Sequence, residues 1–197
     1  MSASDPKSLS AIGFLTVLEH AEQGLFGGYL VLNATGRPLE FHCTAPVRPN
    51  RAQEILYGPT LASFLYGEQI GQTLLAKAKT EPLLVCTDVE PALAVRDFVA
   101  LPVVLIAHSN PIAAVPNAAD NSQTCWQMDA AHGQVPPPTS RLLRFTLGTH
   151  QVAVAATHED DQQQVVSRWQ PYAENFDLCE PFTRIREAIE EAQRSSR

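Results

Sequence analysis

Long apolar runs are missing from this sequence. Its most apolar stretch, residues 99–107, contains Pro102 and falls far short of the ~20 residues a membrane-spanning helix needs. It reads as a buried strand, and no membrane partner is expected. The first ten residues are polar and lack the apolar segment of an export signal, which points to a cytoplasmic protein. Cysteines are few and isolated: Cys43, Cys86, Cys125 and Cys179 form no CxxC pair. Closed zinc sites usually show tighter ligand pairs, so no metal and no cofactor is expected, and the thiols read as free. Basic side chains are scarce as well, 14 Lys and Arg against 21 Asp and Glu, for a net charge of −7. That field repels phosphate backbones and anionic membranes, which argues against nucleic acid as a partner.

Familiar catalytic signatures are also absent. Gly24, Gly27 and Gly28 spell G-x-x-G-G, with neither a phosphate-binding Gly-Lys-Ser/Thr nor a dinucleotide fingerprint. No G-x-S-x-G, H-E-x-x-H or calcium-loop pattern occurs. Whether the chain is an enzyme is left open by these absences.

What the sequence does contain is enough apolar material for a core. With 197 residues, 45% of them hydrophobic, it fits one domain over 1–197. Three antiparallel strands are expected over residues 12–20, 25–33 and 37–44. In the third, Leu39, Phe41 and Cys43 share one face while Glu40, His42 and Thr44 share the other. Gly27-Gly28 marks a bulge or a close backbone approach. Asn50 is placed to cap a short helix over 50–57, and a second helix is expected from Pro59-Thr60 to Lys79. Gly67 and Gly71 inside it suit close packing or a break. A strand over 83–87, a short helix over 92–98 and a strand over 101–107 follow. Residues 108–140 lose all periodicity and read as an irregular, flexible insertion carrying Trp126. A hairpin over 141–157 and a helical segment over 160–197 complete the chain; Phe182, Ile185 and Ile189 form the apolar stripe of its last helix. The expected fold class is α+β: a mixed, mainly antiparallel sheet with helices packed on one face.

Three groups of residues could carry chemistry. Cys86 with His42 as base and Asp88 as orienter would make a thiol or carboxylate site for a small hydrolase or transferase. His42 and Cys43, adjacent on a strand, point to opposite faces and cannot share a metal. Asp88, Glu90, Arg96 and Asp97 cluster just past a strand end, a frequent ligand position, with Tyr57 as a further contact. Trp126 could anchor a partner. With no catalytic constellation, the reading is a non-catalytic binding or regulatory module for a protein or small-molecule partner. A subunit of a homo-oligomer, such as a homodimer, is the second alternative.

Overall fold

The structure, a computed structural model, describes residues 11–107, 141–169 and 177–195. Three strands come first: β1 (Ala11–His20), β2 (Gly24–Asn33) and β3 (Pro38–Cys43). The helix α1 (Arg51–Tyr57) follows, with Asn50 and Gln53 forming a reciprocal capping box. A helical run then passes through α2 (Leu61–Ser63), a π-helical segment (Phe64–Gln72) and α3 (Thr73–Lys77). After β4 (Val85–Thr87) come a 3-10 helix (Glu90–Phe98) and β5 (Val103–Ile106). The hairpin β6 (Leu142–Leu147) and β7 (His150–Ala155) leads to α4 (Asp160–Trp169) and α5 (Glu180–Ser195). Trp126 and the rest of the expected insertion lie outside the described residues.

All seven strands join one sheet in the order β3-β2-β1-β4-β5-β7-β6. β1, β4 and β5 run parallel, and the other pairings are antiparallel. The mixed, mainly antiparallel α+β sheet expected from the sequence is present. Its helices, however, are divided between two faces. Gly27 and Gly28 show why, because consecutive strand residues point to opposite faces. A Cβ on Gly27 would meet Ile70 of the π-helical segment at 2.1 Å, and one on Gly28 would meet Ile185 of α5 at 2.3 Å. Each glycine lets a helix approach the central hairpin from its own side.

Two cores result. On one face Ile12, Phe14, Leu30, Leu84, Cys86, Val104 and Val154 pack under Val165 and Trp169 of α4 and Phe182, Ile185 and Ile189 of α5. Phe14 and Phe182 meet edge to face, ring centroids 5.6 Å apart. On the other, Leu15, Tyr29, Val31 and Val85 pack under Leu65, Ile70, Leu74 and the 3-10 helix residues Ala92, Leu93 and Val95. β1 and β2 are therefore buried on both sides, which is why they read as near-continuous apolar runs.

Edge strand β3 departs from expectation. Glu40 and His42 do share a face, but Leu39, Phe41 and Cys43 are exposed. Their face lies at the sheet edge, whereas α5 packs on β1 and β2. No helix among the described residues is long and apolar enough to cross a membrane.

Candidate active site

The parallel strands β1 and β4 lie side by side, and their onward connections diverge. β1 hands on to β2 on one side, and β4 to β5 on the other. A crevice outside the carboxyl ends of strands at such a switch point is where open sheets hold ligands. Here Leu15 pairs with Thr87 and Thr87 with Leu105, so Thr16, Asp88 and Ile106 follow at one level.

That level is polar where it emerges from the core. The Asp88 side chain is wholly buried and paired with Arg186 of α5, whose side chain is 36% exposed. Thr16 is buried, and among the described residues its Oγ1 has no hydrogen-bond partner; nor has the Nδ1 of His20, two turns of the pleat further along the same face. α5 supplies the roof because Gly28, the cross-strand partner of Thr16, lets it descend onto the sheet.

Beside Asp88 lies a mixed set of metal-capable groups. His150 opens β7, which runs antiparallel to β5 and so begins at the carboxyl end of the parallel strands. Asp177 and Cys179 immediately precede α5. One ligand atom from each, imidazole nitrogen, carboxylate oxygen and thiol sulfur, lies within 4.8 Å of the others. The Cys179 amide donates to Asp177 Oδ1 at 2.8 Å, which folds the loop so that carboxylate and thiol sit together. Burial, then the charges of Asp177 and Asp88, push the Cys179 thiol above its ordinary range. The Asp88 effect places that carboxylate within electrostatic reach. A bound cation would outweigh these influences and hold the sulfur as thiolate.

The residues singled out in the sequence are distributed differently. Asp88 is at this crevice. Cys86 is wholly buried in the core, and burial drives its thiol far above the ordinary range, so no thiolate is available there. His42 sits on the opposite face of the sheet, with its Nε2 3.1 Å from Glu40, so the proposed Cys86–His42–Asp88 grouping does not assemble. Arg96 makes a bidentate pair with buried Asp161, at 2.7 and 3.0 Å, and donates to the Val99 carbonyl; this ties the 3-10 helix to α4. Asp97 pairs with His158 at 2.8 Å. Glu90 is exposed in the first turn of the 3-10 helix, and Tyr57 stacks on Phe64 at 3.9 Å. His150, Asp177, Cys179 and Arg186 were missed: 29 positions separate His150 from Cys179, and no spacing rule links them.

The chain matches no protein-family profile and no curated protein. Among solved structures, the crystal structure of human ENDOV matches with a TM-score of 0.43 at 13% identity, over 98% of this chain and 88% of that one. Two sequence-based expectations are withdrawn: the non-catalytic binding module and the exclusion of nucleic acid. Net charge had carried the exclusion, yet it averages over the whole surface, while binding depends on the field of a few local side chains.

Proposed function

We propose that the chain is a cytoplasmic metal-dependent hydrolase working at the carboxyl ends of β1, β4 and β5. The observation that carries this reading is the convergence of His150, Asp177 and Cys179 within 4.8 Å beside the Asp88–Arg186 pair. A nitrogen, an oxygen and a sulfur ligand suit Zn²⁺, and three protein ligands leave a fourth position for water. A metal held by His150, Asp177 and Cys179 would lower the pKa of that water toward ~7 and so supply hydroxide at neutral pH. That hydroxide would add to the phosphorus or carbonyl carbon of an ester, the ester bond to the leaving oxygen would break, and a solvent proton would go to the departing alcohol. Arg186, held by buried Asp88, presents its remaining N–H donors to an anionic substrate oxygen.

The test is hydrolysis of bis-p-nitrophenyl phosphate, p-nitrophenyl phosphate and p-nitrophenyl acetate by full-length protein, metal-free and with Zn²⁺ or Mn²⁺. Metal-stimulated turnover of one of them, lost in Cys179→Ser and reduced in Arg186→Gln, is the expected result. Turnover that ignores the metal, or none with any of the three, overturns the reading.

A further inference from the structure

β3 is an edge of the sheet. It pairs with β2 on one side and with no strand among the described residues on the other. The Thr44 amide donates to the Gly27 carbonyl at 3.0 Å, so the backbone of that residue faces β2. Backbone direction alternates along a strand, so His42 and Glu40 also face β2, whereas Leu39, Phe41 and Cys43 turn their N–H and C=O groups outward. The side chains of the same three residues are exposed, Leu39 at 37% and Phe41 at 39%. An apolar stripe beside outward backbone groups is a template for a further strand.

Charge identifies the strand that fits. Glu40 and His42 lie symmetrically about Phe41 on the other face of β3, with His42 Nε2 3.1 Å from Glu40 Oε2. Two copies of one strand pair antiparallel about a two-fold axis. With that axis between the two Phe41 residues, Leu39 stands opposite the second copy's Cys43, and Glu40 opposite the second copy's His42. Each carboxylate then has an imidazole beside it along its own strand and another directly across. Phe41 with Phe41, and Leu39 with Cys43, become the pairs that exchange both N–H···O bonds. Centring the axis on residue 40 instead sets two carboxylates against each other, and centring it on residue 42 sets two imidazoles together. Like groups directly opposite are unfavourable, so the register about Phe41 is selected.

We propose that the chain forms a homodimer by antiparallel pairing of β3 with β3 of a second copy, in register about Phe41, so that the two sheets become one.

Sedimentation of the full-length protein, taken up to millimolar concentration, tests the association. The weight-average mass should rise from the 21.5 kDa of one chain toward twice that value. His42→Glu sets like charges across the two-fold and should weaken association about tenfold; Phe41→Lys should remove it. A disulfide reads the register. Cα atoms of a hydrogen-bonded antiparallel pair are about 5.5 Å apart, within disulfide reach. Positions 39 and 43 of one strand are about 13 Å apart and cannot close on each other. Mild oxidation of Leu39→Cys should therefore give a covalent dimer through Cys43, lost when Cys43→Ser is added. A mass that stays at one chain, association unchanged in His42→Glu or retained in Phe41→Lys, or a cross-link that persists with Cys43→Ser overturns the proposal. None of these readouts involves catalysis or a metal.

Discussion

The charged residues of this molecule divide by what surrounds them. Arg96 and Asp161 are paired in two hydrogen bonds, and Asp161 is only 1% exposed. Arg96→Ala strands that carboxylate in the core, and a loss of about 3–5 kcal/mol is predicted in urea unfolding. The neighbouring Asp97 is exposed, so Asp97→Ala should leave the urea midpoint nearly unchanged. Glu40 makes a different prediction. Hydrogen bonds from Thr80, then Lys79, outweigh its partial burial and hold its pKa at about 2, below the ~4.3 of an unfolded chain. Its stabilisation is therefore complete above about pH 4.5 and is lost as pH falls toward 2. Glu40→Gln should flatten that part of the acid-unfolding curve. The alternation in β3 had already put Glu40 and His42 on one face, and they do hydrogen-bond; that Thr80 reaches Glu40 from forty positions away left no trace in the local pattern.

At the scale of elements, packing overrides propensity in the helical run. Gly67 costs roughly 1 kcal/mol relative to alanine in an isolated helix, so Gly67→Ala should stabilise if the helix stood alone. Here a Cβ would meet Ala94 Cβ at 2.7 Å and the Val95 amide nitrogen at 2.8 Å. The prediction is the opposite sign: Gly67→Ala lowers the stability measured by urea unfolding by about 1–3 kcal/mol, because the 3-10 helix must move. The Gly67/Gly71 pair thus announced a close approach in the sequence, without saying to what. The π-helical geometry around it was not legible, since the apolar spacing of Leu61, Phe64, Leu65 and Leu74 fits an ordinary helix equally well.

For the molecule as a whole, a cation at His150, Asp177 and Cys179 would join the β6–β7 hairpin to the start of α5. Binding only to the folded state, Zn²⁺ at 100 times its Kd should add about 2.7 kcal/mol of stability. A rise in Tm with Zn²⁺ is expected, retained in Cys43→Ser, whose thiol is on the exposed edge strand, and lost in Cys179→Ser and His150→Ala. An equal rise in all four proteins would sink the assignment of these ligands.

Strand identity, the Asn50 cap, the hairpin pairing of Phe145 with Val152 and the buried stripe of α5 were determined by local sequence, because period, capping and turn chemistry act over a few residues. The covering of both sheet faces, where helices had been expected on one, was decided by the tertiary structure, in which Gly27 and Gly28 admit a helix on each side. Only the tertiary structure decided the strand order, and with it which polar groups meet. The same order put Asp88 and His42 on opposite sides of the sheet and brought His150, Asp177 and Cys179 to one end of it. Such a meeting depends on crossovers between distant segments, and these leave no periodicity in the chain to read.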